Sequence, residues 1–180
     1  GLVQIAGIRS LHEAEEMVDA GADLLGFPLR LAYHAEDTSE ATARDIVFGA
    51  RCPSVLITYI HCASTIAEFC TWLGVGLVQL HGDVSLEELA RLRQISTVPV
   101  IKSLIVRSGD CNDTLLGYAD SVSPYVDAFI TDTYDSETGA CGATGKLHDW
   151  EVSREIVRRV DRPVFLAGGP TPSNVAVAVR

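Results

Sequence analysis

Short, nearly continuous apolar runs recur along the chain, separated by stretches in which apolar positions return every three or four residues. The runs predict strands at Val3–Ile5, Leu24–Phe27, Val55–Ile60, Leu77–Leu80, Val100–Val106, Ala128–Ile130 and Val164–Ala167. Apolar residues are not strictly alternated with polar ones, so the sheet should be covered on both faces, as in parallel α/β folds. Helix starts are legible between the runs. Ser10 with Glu13 and Ser85 with Glu88 fit the capping box, in which each side chain satisfies an amide of the first turn. Leu11, Ala14 and Val18 then fall on one helical face. Further helices are predicted near Ser39–Gly49, Thr65–Leu73, Thr114–Ser121, Glu151–Val160 and Pro172–Val179, with Asp149 as the N-cap ahead of Trp150.

Successive βα units without a long linker predict one domain over residues 1–180. A repeat of roughly 20 to 30 residues suits an α/β fold of the (β/α)8 TIM-barrel kind. The competing architecture is a doubly wound open sheet, but its G-x-G-x-x-G signature is absent: the first strand leads into Ala6-Gly7-Ile8-Arg9-Ser10. The sequence ends in the helix after the seventh strand, so the barrel reading expects the eighth βα unit to be absent from it and the domain to be incomplete at its C-terminus.

At 47% hydrophobic and 21% charged over 180 residues, the composition is that of a folded chain with a sizeable core. No apolar run approaches the roughly 20 residues of a membrane span, and Gly1-Leu2-Val3-Gln4 lacks the regions of a signal peptide, which points to a cytoplasmic protein. The missing Met at position 1 suggests a trimmed or incompletely covered start. A net charge of −10 with scattered basic residues argues against nucleic acid as a partner. Cys52, Cys62, Cys70, Cys111 and Cys141 are odd in number and contain no C-x-x-C pair, so reduced, packed thiols are expected.

Chemistry concentrates in glycine-rich turns late in the chain. Gly142-Ala143-Thr144-Gly145-Lys146 opens the approach to one helix, and Gly168-Gly169 follows the last apolar run. Paired glycines let backbone amides approach a phosphate closely. Thr171-Pro172 reads as an N-cap with proline at the first helical position, so a helix start should face the same place. A sugar phosphate is the ligand such a turn suits.

Several segments together resemble the phosphoribosylanthranilate isomerase family, (β/α)8 enzymes of tryptophan biosynthesis. The matching pieces are Ile5-Ala6-Gly7-Ile8, Ala20–Phe27, Val78-Gln79-Leu80-His81-Gly82-Asp83, Asp132, Gly142–Trp150 and Leu166–Val175, in the family's order and at similar spacings. The resemblance implies an Amadori rearrangement of a phosphoribosyl-amine: an acid protonates the furanose ring oxygen, a Schiff base forms, and a base removes the C2′ proton. It implies no cofactor, a small sugar phosphate as the partner, and a monomer or homodimer.

Residue by residue, the family's acid falls on Asp132 and its phosphate loop on Gly168 and Gly169. A carboxyl at a barrel mouth, partly desolvated, can hold a proton near neutral pH. The bland reading of Asp132 is an N-cap or loop aspartate. The family's base is the cysteine of a K-x-C-G pattern, and that position is Ala6 in Gln4-Ile5-Ala6-Gly7, so the thiol is gone. The arginine that holds the anthranilate carboxylate in the family falls on Glu36, which would repel it; Arg30 is the nearby cation that could reach in. Two changes in one pocket point to an altered substrate. The family's second phosphate loop follows the eighth strand, which the sequence lacks.

His81, at the end of the fourth strand, reads either as a residue of the substrate pocket or as a structural hydrogen-bonding histidine. His34, His61 and Glu36 fall in loops at strand ends, but without a compact ligand spacing, so no metal site is expected. Cys62 and Cys141 lie in loops after strands, and either could replace the missing thiol if its pKa were lowered.

Overall fold

Apolar residues that the pattern marks as strands are those with the least contact with water. In the computed structural model, Leu25, Phe27, Val55, Leu56, Val78, Leu80 and Phe129 are fully buried. The structure describes residues 1–33, 35–106, 112–134, 150–169 and 171–178, grouped into two compact units, Gly1–Val100 and Ile101–Arg180. His34, Cys111, Cys141, the Gly142–Asp149 segment and Pro170 lie outside the described residues.

The first unit runs β1 (Gln4–Ala6), α1 (Leu11–Asp19), β2 (Leu24–Pro28), α2 (Glu40–Gly49), β3 (Ser54–Thr58), α3 (Ala63–Leu73), β4 (Leu77–Leu80) and α4 (Leu86–Ile95). Each strand pairs in parallel with the next, in chain order, with Ala6 opposite Gly26, Gly26 opposite Val55 and Ile57 opposite Gln79. Side chains alternate between faces along a strand, so this register puts Gln4, Ala6, Ile57 and Gln79 on one face. Gly26 is required there. A Cβ at that position would lie 2.8 Å from Ile57 Cδ1 and 3.1 Å from both Ala6 Cα and Cβ.

Several boundaries differ from expectation: β2 runs on to Pro28, β3 begins at Ser54 and α3 at Ala63. β1 is shifted one residue later, and β3 stops at Thr58 rather than Ile60, because the Ile60 amide turns back onto Thr58 Oγ1 at 3.3 Å. The capping boxes are only half formed. Ser10 and Ser85 accept from the Glu13 and Glu88 amides at 3.1 and 3.2 Å. Glu13, however, reaches the amide of Arg9 at 2.8 Å, and Glu88 leaves its own helix to accept from Ala63, the first residue of α3, at 2.6 Å. Glu88 thereby ties α4 to the start of α3.

The second unit takes β5 (Val100–Val106) from Ile101 onward, followed by α5 (Asn112–Val122), a 3-10 turn (Ser123–Tyr125), β6 (Ala128–Thr133), α6 (Trp150–Arg159), β7 (Val164–Leu166) and α7 (Val175–Ala178). Pairing is again parallel, with Ile105 opposite Asp132 and Thr131 opposite Leu166. β6 runs to Thr133, three residues past the expected Ile130, and is buried throughout. Its end is polar, which hides it from an apolar pattern, yet the ladder continues and Ser153 of α6 lies 3.1 Å from Thr131 Oγ1. The last helix starts at Val175, not at Pro172. Thr171 Oγ1 pairs with Ser173 Oγ at 2.9 Å, and Asn174 does the local bonding instead: its carboxamide accepts from the Thr171 amide at 2.6 Å and donates to the Gly169 carbonyl at 3.0 Å. None of the described helices is long and apolar enough to cross a membrane.

Candidate functional site

Within each unit the candidate residues collect at the C-terminal ends of the parallel strands, the end where (β/α) barrels build their sites. In the first unit Ala6 closes β1 and is exposed, His81 follows β4, and Arg30, Glu36 and Asp37 occupy the segment between β2 and α2. In the second, Asp132 lies near the end of β6, while Gly168 and Gly169 follow β7.

A hydrogen-bonded chain crosses the first sheet. Gln4 Nε2 donates to Gln79 Oε1 at 2.9 Å, and Gln79 Nε2 donates to His81 Nε2 at 2.6 Å. His81 is buried at 8% exposure, with the Tyr59 ring 5.8 Å from its own and Tyr33 edge-on to Tyr59 at 5.6 Å. Gly82 lets this corner close: a Cβ there would come within 2.6 Å of the Tyr59 carbonyl oxygen. Both readings of His81 survive in one residue, since it is hydrogen-bonded and stands at the strand end.

Arg30 adopts φ 53°, the left-handed region, and its amide donates to the Glu36 carboxylate. Its guanidinium grips Glu40 of α2 through Nε at 2.8 Å and Nη2 at 3.3 Å and lies 3.8 Å over the Phe69 ring. The Glu40 hydrogen bond, above all, raises the Arg30 pKa. Arg30 therefore spends its charge on the helix layer, and Glu36 anchors the loop backbone. Beside them, Asp37 Oδ2 lies 3.2 Å from where a Cβ on Gly7 would stand.

Asp132 is 5% exposed, and its Oδ1 accepts from the Thr133 amide at 2.8 Å. Gly168 and Gly169 have φ of 87° and 74°, so both require glycine, and the Asn174 carboxamide holds the turn from the other side. Among the described residues no group of three His, Cys, Asp or Glu side chains could hold a metal ion.

The thiols differ sharply. Burial pushes Cys70 up to about 12 and raises Cys52. Cys62, the N-cap residue of α3, is lowered to about 7 by the Ser64 hydroxyl, 3.2 Å away, with further help from the Thr65 and Ser64 amides.

Comparison with known proteins places these observations. A family model described as N-(5'phosphoribosyl)anthranilate (PRA) isomerase matches residues 3–180. The chain belongs to the N-(5'-phosphoribosyl)anthranilate isomerase family. It is 34% identical to N-(5'-phosphoribosyl)anthranilate isomerase 2 of Methanosarcina mazei over 187 residues, which cover 99% of this chain and 79% of that one. The phosphoribosyl anthranilate isomerase structure from Thermotoga maritima superposes with a TM-score of 0.79 at 26% identity, over 99% of this chain and 82% of that one. A structure of such an isomerase in complex with reduced 1-(o-carboxyphenylamino)-1-deoxyribulose 5-phosphate matches at TM-score 0.77 and 24% identity, covering 99% and 80%. The fold is accordingly that of a (β/α)8 barrel, of which this chain supplies seven βα units, and the open-sheet alternative falls away.

Ala6 and Glu36 are the two positions at which the resemblance expects the family's cysteine and arginine instead. Gln4, Gln79 and Asp37 were not picked out as site residues from sequence. The Gln79–His81 pair had a usable signal, since residues two apart on a strand share a face. Asp37 had none, because its position depends on the path of a loop.

Proposed function

We propose that this chain isomerises N-(5'-phosphoribosyl)anthranilate, or a close phosphoribosyl-amine, from aldose to ketose form. The observation that carries the reading is Asp132, a buried carboxyl at the end of β6 oriented by the Thr133 amide, in the place the family gives to its acid. Asp132 protonates the furanose ring oxygen; the C1′–O bond opens and the nitrogen lone pair forms the Schiff base. Removal of the C2′ proton then gives an enaminol, which becomes the aminoketose as C1′ gains a proton and the C2′ hydroxyl loses one.

Gly168 and Gly169 take the phosphate through backbone amides, at a turn whose geometry excludes side chains. We take His81, held by Gln79 at the end of β4, as a residue that meets the substrate. Arg30 and Glu36 set the course of the loop that meets the anthranilate carboxylate. The reaction needs no cofactor, and a biosynthetic step of this kind suits the cytoplasm.

The test is a fluorescence assay of phosphoribosylanthranilate consumption on the unaltered chain and on Asp132→Asn. Turnover that the substitution removes, with binding of the reduced deoxyribulose phosphate retained, supports the reading. A second reading, a relative acting on another phosphosugar, is favoured specifically by Ala6 and Glu36. Binding of ribose 5-phosphate without turnover of phosphoribosylanthranilate would favour it.

A further inference from the structure

We propose that Tyr33, Tyr59 and His81 form an aromatic corner that takes the aryl ring carried by the nitrogen of the phosphoribosyl-amine, and so select an aryl-amine substrate over its saturated counterpart. The proposal rests on the isomerase reading above and concerns the first unit alone. Three consecutive strands each deliver one ring. Tyr33 lies in the segment after β2, Tyr59 follows β3 directly, and His81 follows β4 directly. The rings pack in series: Tyr33 meets Tyr59 edge-on, with centroids 5.6 Å apart and planes at 77°, and Tyr59 meets His81 at 5.8 Å and 38°.

Strand register decides which face the inner rings occupy. Ile57 is opposite Gln79, and the ladder runs on past the strand ends, with the His81 amide donating to the Thr58 carbonyl at 2.9 Å. Side chains two residues apart share a face, so Tyr59 and His81 stand on the face that carries Gln4, Ala6, Ile57 and Gln79. Solvent reaches these strand ends: Ala6 is exposed, and Tyr33 keeps 54% of its surface in water. A lone exposed ring needs no explanation. This one is packed on a second ring that is itself packed on a third. Gln79 Nε2 fixes His81 at 2.6 Å and Gln4 fixes Gln79 at 2.9 Å, so the base of the corner is held by side chains that are themselves hydrogen-bonded.

Aromatic pairs attract in offset-stacked or edge-to-face arrangements, with centroids about 4.5–7 Å apart. Two rings set near a right angle offer both at once, because a planar ring laid on the face of one meets the other edge to face. A saturated ring has neither a π-face nor a polarised edge and gains only from the burial of its surface. In N-(5'-phosphoribosyl)anthranilate the aryl ring is planar and bonded directly to the reacting nitrogen. Holding the ring therefore also directs the nitrogen lone pair that forms the Schiff base.

The test uses two probes that differ in the ring alone: reduced 1-(o-carboxyphenylamino)-1-deoxyribulose 5-phosphate and its counterpart with a saturated carboxycyclohexyl ring. Their affinities are measured on the unaltered chain and on Tyr33→Leu, Tyr59→Leu and Tyr33→Phe. The unaltered chain should prefer the aryl probe, and each leucine variant should lower that preference roughly 3- to 10-fold by weakening the aryl probe alone. Tyr33→Phe should keep it. The aryl protons of the bound probe should move upfield in proton NMR on the unaltered chain, from the ring currents of the corner, and move less on Tyr33→Leu. Equal affinity for the two probes on the unaltered chain overturns the proposal, as does a preference that survives either leucine substitution or is lost in Tyr33→Phe. Turnover of phosphoribosylanthranilate by the unaltered chain still upholds the isomerase reading in those cases. Equal weakening of both probes in Tyr33→Leu marks the ring as structural and overturns the proposal too. An unaltered chain that binds neither probe and turns over no substrate fails the isomerase reading itself, and the proposal falls with it.

Discussion

Gln79 donates to His81 across 2.6 Å, two residues along one face of the first sheet, and receives the Gln4 carboxamide at 2.9 Å on its other atom. With Gln79 donating, the imidazole accepts at Nε2 and carries its proton on Nδ1. Gln79 is buried, so water cannot replace it. Gln79→Leu should leave Gln4 Nε2 without this acceptor, at a cost of about 1–3 kcal/mol, read by chemical denaturation. The same substitution should shift the His81 Nε2 resonance in nitrogen NMR. A change in neither would mean that the chain of bonds contributes nothing to the sheet.

The strands were legible because the parallel sheet is covered, and burial on both faces writes itself as continuous apolar runs. Where polarity intrudes, the signal fails. Thr131, Asp132 and Thr133 complete a fully buried β6, but their side chains read as a loop. Asp132 and the glycine pair were put forward through a motif, which records local chemistry rather than the path of the backbone. The loop between β2 and α2 was not legible, since the position of Asp37 depends on Arg30 adopting a left-handed backbone and on the Glu36 contact that closes the turn. Glu88, similarly, satisfies a neighbouring helix rather than its own, a choice made by tertiary packing.

Cys62 should be the reactive thiol among the described cysteines. Its pKa in the folded chain, about 7, lies below the ordinary 9.0, so the thiolate favours folding. That contribution is complete above the unfolded thiol's range near pH 9.0 and is lost as the pH falls through about 7. Alkylation by iodoacetamide should therefore rise through neutral pH at Cys62, while Cys70 stays inert until the chain unfolds. Ser64→Ala removes the largest cause and should move the Cys62 titration upward.

Gly168→Ala forces a side chain into φ 87°, at a strain of about 1–2 kcal/mol. The melting temperature should fall by roughly 2–8 °C, and ribose 5-phosphate, followed by amide chemical shifts, should bind more weakly. Unchanged affinity with the expected loss of stability would separate the turn's folding role from phosphate binding and count against the latter.

Glu36 joins two demands that a single substitution can pull apart. Its carboxylate accepts from the Arg30 amide, and the family resemblance expects an arginine for the anthranilate carboxylate at that position. Glu36→Gln keeps an acceptor for the amide and removes the charge, so the loop should hold while repulsion of the substrate falls. An exposed charge pair is worth about 0–1 kcal/mol, which sets the expected drop in KM at up to roughly five-fold, with kcat unaltered. Glu36→Arg adds an attraction but discards the acceptor that holds the turn at Arg30. The arginine variant should therefore lower KM further while lowering kcat, and a steady-state comparison of the two reads the split directly. If both variants instead raise KM, the carboxylate of Glu36 is itself part of substrate recognition, and the true substrate carries a donor or a positive charge at that position.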